Sequence, residues 1–296
     1  LNLMKSVKES TFTHTSITEP TGSFYLKYDD MLTFHALYKD AMKNGCDLFF
    51  TEKHRDISPV LIDFDFRFEK DVIDRQYTLG VIEEVIKAYI EEIKKYVELP
   101  DDVNVYLMEK PKPMYVEKKD LVKDGVHIIM SNIVTRPSIQ LLVRKNLLKR
   151  FGKLMKGMCH TNTIDDIFDE QVIYKNNWQM YGSKKPGNEP YKVTKDITYN
   201  VEKRELTYNE LKEDDTEYID TLSIRNKYNE NNLKQELKES VVKIDREMKE
   251  AENKKEQKKH VYNKIIQNHD SNFKPSCEEL NLVKKLIEIL NPKRAK

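Results

Sequence analysis

Two aspartates occur one residue apart inside a hydrophobic stretch of the sequence. Asp63 and Asp65 flank Phe64 within the segment from Val60 to Phe66. Side chains alternate between the two faces of a strand, so a strand here would place both carboxylates on one face, with Cα atoms about 7 Å apart. Two carboxylates at that spacing can converge on a pair of divalent metal ions about 4 Å apart. The alternative is an acidic strand face that is simply exposed to solvent.

A second group of polar residues surrounds a histidine. The segment Lys123 to Met130 contains Gly125 and His127, and its second half is apolar. An imidazole in a strand can point at a phosphate, and a glycine two residues earlier allows a bulky anion to approach the backbone. A half-buried histidine with ordinary hydrogen-bond partners would give the same pattern.

A third polar group begins at Asp169. The segment from Asp169 to Gly187 contains Trp178, which is the only tryptophan, and the adjacent lysines Lys184 and Lys185. Its last two glycines have the spacing of a phosphate-binding P-loop, but Asn-Glu follows where such a loop requires Lys-Ser or Lys-Thr, so a Walker-type site is excluded. The two lysines are expected either to neutralise a bound polyanion or to lie in solvent.

The hydrophobic periodicity predicts which elements would position these residues. It predicts helices over residues 29–43, 78–97 and 137–156, and strands over 60–66, 103–108 and 126–130, with one or two further strands within 172–181. Beyond residue 200 the chain is rich in Lys, Glu and Asn. That composition predicts long charged helices, such as residues 233–259, and a final amphipathic helix over 278–290.

The charge pattern indicates a basic surface although the net charge is small. The 296 residues include 51 Lys and Arg against 50 Asp and Glu. These charges are segregated, since the helix predicted over 137–156 and its flanks, within residues 131–160, carry basic residues and no acid. A basic helix face is either a nucleic-acid footprint or a solvated surface.

Several classes of protein are excluded by the composition. Cys46, Cys159 and Cys277 are odd in number and far apart, so they form neither a disulfide framework nor a four-cysteine metal site, and a reducing compartment is expected. No apolar stretch approaches the roughly 18 residues that a membrane span requires.

In this order, the three polar segments resemble the archaeo-eukaryotic primase superfamily. The matching stretches are Pro59 to Phe66, Lys123 to Met130 and Asp169 to Pro186, and the run Asn176 to Ser183 is the most specific of them. The similarity is greatest to the primase domain at the N-terminus of poxvirus-type and giant-virus primase-helicases, and it covers about residues 20–200. It implies an α+β primase fold, in which an α/β unit and an RRM-like unit enclose an active-site cleft, followed by a mainly helical region.

The resemblance also implies the roles of individual residues. Three carboxylates would hold two divalent cations, Mg or Mn: Asp63, Asp65 and Asp169. A second set would bind the triphosphate of an incoming nucleotide: Lys123, Gly125, His127, Lys184 and Lys185. The sequence departs from many members of the superfamily at Gly125, where they have serine, and at Gln179, where they have a basic residue.

The function implied is that of a DNA primase, a template-dependent nucleotidyltransferase that starts chains on single-stranded DNA. Residues 1–200 would form the catalytic domain, and residues 201–296 a charged, mostly helical linker to a helicase module of the same polypeptide. The expected location is intracellular, at a viral replication site in the host cytoplasm, with no membrane partner. Two other functions remain open, a metal-dependent nuclease and a single-strand-binding module in which Tyr174, Trp178 and Tyr181 stack on bases.

Overall fold

The computed structural model describes residues 5–6, 12–18, 21–226, 229–248 and 250. The strands are β1 Lys5–Ser6, β2 His14–Ser16, β3 Gly22–Tyr25, β4 Phe50–Glu52, β5 Ser58–Phe68, β6 Asp102–Glu109, β7 Met114–Val116, β8 Leu121–Thr135, β9 Trp178–Gln179, β10 Lys192–Asn200 and β11 Glu205–Asn209. The helices before residue 230 are α1 Met31–Lys43, α2 Leu79–Ile93, α3 Pro137–Leu154, α4 Ile164–Ile167, α5 Gln171–Tyr174 and α6 Tyr218–Leu222. The predicted α+β class and the three long predicted helices are confirmed.

An antiparallel sheet forms the centre of the fold. Its strand order is β11-β10-β6-β8-β5, and β7 also pairs with β8. Strand β8 is longer than predicted, because it begins at Leu121 and already contains Lys123 and Gly125. The outer edge of β5 is covered by two isolated bridges, from Phe64 to Phe168 and from Phe68 to His160. The edge that carries the two aspartates is therefore not open for pairing with another chain.

The two faces of this sheet have different partners. On one face the even-numbered residues of β5, such as Ile62 and Phe64, pack with α2 and α3 in one buried cluster. Helix α2 is amphipathic and starts at Thr78, whose side chain accepts a hydrogen bond from the backbone of Val81. On the other face Leu61 packs in a second cluster, together with residues of α1, α6 and β9. Asp63 and Asp65 share this second face with Leu61, since side chains alternate along a strand.

A second sheet lies beside the second cluster. Its strands follow the order β1-β3-β2-β4-β9. The segment after α6 is bound to it by the fully buried Glu52, whose carboxylate accepts hydrogen bonds from the Ser223 hydroxyl at 2.6 Å and the Ile224 backbone N–H at 2.9 Å. Ile224 itself is fully buried in the second cluster. The polypeptide beyond residue 200 therefore completes this part of the core.

Two predicted elements differ from the structure. The segment 172–181 begins as helix α5 rather than as a strand. Just before this helix the Asp169 carboxylate accepts a hydrogen bond from the Gln171 backbone N–H at 2.9 Å, which favours a turn over an extended chain. Only β9, Trp178–Gln179, is extended in this segment. The mainly helical character expected from residue 201 is wrong for β11, which forms an antiparallel hairpin with β10.

The chain divides into two compact units, residues 1–241 and residues 242–296. The site described below belongs to the first unit. Of the helix predicted over 233–259, residues 238–248 and 250 are helical, and the remainder after residue 250 lies outside the described residues. The helix predicted over 278–290 also lies outside them. The division into domains at residue 200 stays a prediction.

Candidate active site

The register of β5 and β8 brings the first two predicted motifs together. Asp63 lies opposite His127 and Asp65 lies opposite Gly125. The Nε2 atom of His127 is 3.5 Å from a carboxylate oxygen of Asp63. Lys123 reaches across the same face, and its ammonium group donates to both oxygens of Asp65, at 2.7 and 3.0 Å. These side chains, separated by about 60 residues in sequence, form one wall of a cleft.

The third carboxylate comes from the segment that covers the edge of β5. The backbone N–H of Asp169 donates to the carbonyl oxygen of Asp63 at 3.1 Å. The bridge between Phe64 and Phe168 fixes the preceding residue. All three carboxylates that the resemblance assigns to metal binding therefore line one cleft of about 390 Å³.

A buried arginine supports this segment. The Arg144 guanidinium of α3 donates to the carbonyl oxygen of Phe168 at 2.7 Å and to the carbonyl and carboxylate oxygens of Asp165 at 2.7 and 2.9 Å. The hydrophobic periodicity of this helix predicts that its basic residues, Arg144 among them, face outward, and for Arg144 this is wrong, because its side chain is only 4% exposed. The Arg144 guanidinium donates its hydrogen bonds to the loop that carries Asp169.

The carboxylates carry surplus negative charge. Burial and, after it, the charges of Asp65 and Asp169 together raise the pKa of Asp63 to about 7. Among the described residues, no three His, Cys, Asp or Glu side chains converge closely enough to enclose a metal ion. The donor set nevertheless suits Mg or Mn, since these ions prefer carboxylate oxygens and a cation would relieve the repulsion that raises this pKa.

The histidine of the second motif is held between aromatic rings. Tyr191 stacks on His127 with ring centroids 3.6 Å apart and planes at 16°, and Trp178 lies against it at 4.6 Å. Burial, together with the charges of Lys110 and Lys185, lowers the pKa of His127 to about 3. The imidazole is therefore neutral near pH 7, so it can offer an N–H to a phosphate oxygen but adds no positive charge.

The structure gives a packing reason for a glycine at position 125. A Cβ atom at this position would lie 2.3 Å from the Tyr191 hydroxyl and 3.1 Å from the carbonyl oxygen of Phe64. Tyr191 thus occupies the space beside this glycine in the structure, and the approach of an anion to Gly125 stays a prediction. Nothing in the sequence pattern around Tyr191 pointed to this contact.

The positive charge of the cleft comes from lysines on separate elements. Four lysines line the cleft: Lys110, Lys119, Lys123 and Lys185. Lys110, which follows β6, was not predicted; its ammonium group is 3.2 Å from the Asn188 side-chain oxygen and 5.1 Å from the centre of the Tyr191 ring. Lys184 does not line the cleft. Its ammonium group pairs with Asp47 at 2.7 Å.

A hydrogen-bonded network joins two strands that carry cleft residues, β8 and β6. The buried carboxylate of Asp124 on β8 accepts from the Arg75 guanidinium at 2.9 Å. The same guanidinium donates to Glu109 at the end of β6 at 2.8 Å, and the Tyr77 hydroxyl donates to Glu109 at 2.7 Å. Lys110 and Gly125 each adjoin a residue of this network, so the network fixes the backbone on which the cleft is built.

The comparison with protein families gives this cleft its context. A family model described as the C962R protein N-terminal AEP domain matches residues 13–197, which is more than half of the chain. The chain belongs to this family. The AEP domain, for archaeo-eukaryotic primase, contains β5, β8 and the Asp169 segment, so every residue that lines the cleft lies within the matched range.

Two viral proteins contain segments similar to this AEP domain. One, from Acanthamoeba polyphaga mimivirus, is named "Putative helicase" and is 36% identical over 186 residues, which is 62% of this chain and 19% of the viral protein. The other, from Invertebrate iridescent virus 6, has the same descriptive name and is 25% identical over 216 residues, 64% of this chain and 22% of that protein. The chain thus spans about a fifth of the length of these relatives. No helix in the described part of the chain is long and apolar enough to cross a membrane.

Proposed function

We propose that this AEP domain is a DNA primase that joins nucleotides on a single-stranded DNA template. The observation that supports this most directly is the convergence of Asp63, Asp65 and Asp169 with four lysines in one cleft. Nucleotidyl transfer needs both groups, because carboxylates hold divalent cations and cations neutralise the triphosphate. The mimivirus and iridovirus relatives that share the domain carry helicase names.

The cleft residues divide the chemistry among themselves. Asp63, Asp65 and Asp169 would hold two Mg or Mn ions, which supply activation of the attacking 3′-hydroxyl and charge neutralisation of the departing pyrophosphate. Lys110 and Lys185 would bind phosphate oxygens, and neutral His127 would donate a single hydrogen bond to one of them.

Lys123 has a double role in this proposal. Its ammonium group pairs with Asp65. Once another cation neutralises that carboxylate, the flexible lysine side chain is free to turn toward a phosphate. The substrates would be nucleoside triphosphates and single-stranded DNA. The partner would be a helicase module of the same polypeptide, acting at an intracellular viral replication site.

The two competing functions fit the cleft less well. A nuclease has no need for lysines placed around a triphosphate. A single-strand-binding module was expected to stack bases on three aromatic rings, but Trp178 is 3% exposed and Tyr181 is 6% exposed, so these rings offer little free surface.

The deciding experiment measures incorporation of labelled nucleotides on unprimed single-stranded DNA with Mg or Mn. New oligonucleotides are expected from the wild type and not from Asp63→Asn/Asp65→Asn. The matched control is Asp71→Asn/Asp74→Asn, which removes two exposed carboxylates outside the cleft and should keep full activity. A wild-type protein that binds DNA but makes no product would refute priming by this domain. Shortening of the DNA without nucleotides, lost in the Asp63→Asn/Asp65→Asn protein, would identify a nuclease instead.

A further inference from the structure

A row of exposed lysines follows the outer face of α3. Lys145, Lys149 and Lys153 are spaced four residues apart on the helix, and Lys156 follows it within the next turn. At 3.6 residues per turn the first three lie within about 80° of arc, and with Lys156 they extend over about 16 Å of the helix axis. All four side chains are exposed. We refer to these four residues as the lysine stripe.

The positive charges of the lysine stripe are not paired with nearby carboxylates, unlike the lysine charges of the neighbouring helix α2. On α2, Lys87 pairs with Glu84, and just beyond its end Lys95 pairs with Glu92. Arg150 on α3 also pairs with α2, through Glu91. By contrast, no described carboxylate lies within 4 Å of any stripe ammonium group. Like charges four residues apart destabilise a helix, so stability alone does not favour this arrangement.

The stripe faces away from the cleft. Helix α3 packs with Phe64 on one face of the central sheet, whereas Asp63 and Asp65 lie on the opposite face. A triphosphate bound among the carboxylates therefore cannot reach the stripe. The lysines must serve a separate ligand, or a distant part of a long one.

The chemistry of the stripe fits a nucleic-acid backbone. Its charges repeat about every 6 Å along a straight axis, and lysines bind phosphates as point charges without reading sequence. A membrane surface is disfavoured, because none of the large apolar side chains exposed in the described residues lies on α3.

We propose that the lysine stripe is a second nucleic-acid-binding surface, which holds the phosphate backbone of a DNA strand behind the catalytic cleft. A long template would then contact the domain on two faces, and the stripe would retain it irrespective of sequence. The proposal does not depend on catalysis, since it concerns binding alone.

The test is the salt dependence of binding to a labelled 40-nucleotide single strand, measured by fluorescence anisotropy in EDTA without nucleotides. Each lost lysine–phosphate contact should reduce the slope of log K against log salt by about 0.7. The variant Lys145→Gln/Lys149→Gln/Lys153→Gln/Lys156→Gln should therefore have a slope shallower by about 2 to 3 and bind at least about tenfold more weakly at 100 mM salt.

The matched control removes the same charge from scattered exposed positions outside the cleft, with Lys27→Gln/Lys203→Gln/Lys212→Gln/Lys238→Gln. This control variant should change the slope by less than about 0.7, which is the value for one lysine–phosphate contact. An unchanged slope in the stripe variant, or an equal change in the control, would overturn the proposal. Weaker binding of the stripe variant to polyglutamate, with DNA binding unchanged, would overturn it in favour of an acidic protein partner. A domain that fails to prime would leave this result unaffected.

Discussion

The contact between Gly125 and Tyr191 can be tested by adding one methyl group. In Gly125→Ala the new Cβ would be 2.3 Å from the Tyr191 hydroxyl, where side-chain carbons almost never come closer than 3.0 Å. Tyr191 would have to move by about 0.7 Å, and its ring is stacked on His127. Overpacking of this kind costs about 1–3 kcal/mol. We expect Gly125→Ala to lower the free energy of unfolding by that amount and to weaken nucleotide binding.

Removing the hydroxyl should remove most of that cost. In the Tyr191→Phe background the nearest ring carbon would be 3.5 Å from the new methyl, and the Phe64 carbonyl oxygen at 3.1 Å is the one tight contact left. Alanine also restricts the unfolded chain more than glycine does, a gain of about 0.4–1 kcal/mol. The double variant should therefore be close in stability to Tyr191→Phe alone.

Urea denaturation of the four proteins gives the coupling energy between the two positions. We expect at least about 1 kcal/mol, with the second substitution relieving the first. Equal costs of Gly125→Ala in both backgrounds would show that Tyr191 does not occupy this space, and the account of Gly125 would fall. Thermal denaturation of each variant, followed by near-UV circular dichroism, checks that the folded states are comparable.

Three further predictions concern the charges of the site. Because the pKa of Asp63 is raised to about 7, the folded protein between pH 4 and 7 binds a proton that the unfolded chain has lost. In EDTA, the free energy of unfolding of the wild type relative to Asp63→Asn should therefore fall as pH rises from about 4 to about 7. Urea titrations in which this difference does not change with pH would contradict the prediction. Arg144→Gln should lower the free energy of unfolding by about 2–4 kcal/mol, because buried carbonyl groups lose their donor. The control Arg150→Gln breaks a surface ion pair and should lower it by less than about 1 kcal/mol. Equal losses in urea denaturation would refute the role of Arg144 in supporting the Asp169 segment. Lys185→Gln should raise KM for the nucleotide at least about tenfold, since one charge-assisted phosphate contact contributes about 1.5–3 kcal/mol. Lys184→Gln should leave KM nearly unchanged. Similar KM values for the two variants in steady-state assays would show that Lys185 does not contact the nucleotide more closely than Lys184 does.

The parts of the site that lie on regular strands could be predicted from sequence. Alternation along β5 identified which face carries Asp63 and Asp65, and the apolar run around His127 identified its strand. Local periodicity is sufficient there, because one face of each strand is packed in the core while the other lines the cleft, so apolar and polar side chains alternate with a period of two.

The remaining features depend on contacts between distant segments, which no local pattern encodes. Helical periodicity assigned Arg144 to the outside, but a carbonyl oxygen of the Phe168 loop, 24 residues later, draws it inward. Tyr191 meets Gly125 only after β10 has joined the sheet. The β-branched pair Val172-Ile173 indicated a strand, but this segment begins with a helical turn, which follows the hydrogen bond from the Gln171 backbone N–H to the Asp169 carboxylate.

The hydrogen bonds from Ser223 and Ile224 to Glu52 have a practical consequence for dividing this polypeptide. A fragment ending at residue 200 would include the whole family match, yet it would lose Ile219 and Leu222 and so expose the residues they contact in the second cluster. It would also leave a fully buried carboxylate without two of its donors. Such a fragment would be prone to aggregation whatever its chemistry. The shortest soluble piece should extend through residue 225, so that inactivity of a shorter one reports misfolding rather than a missing activity.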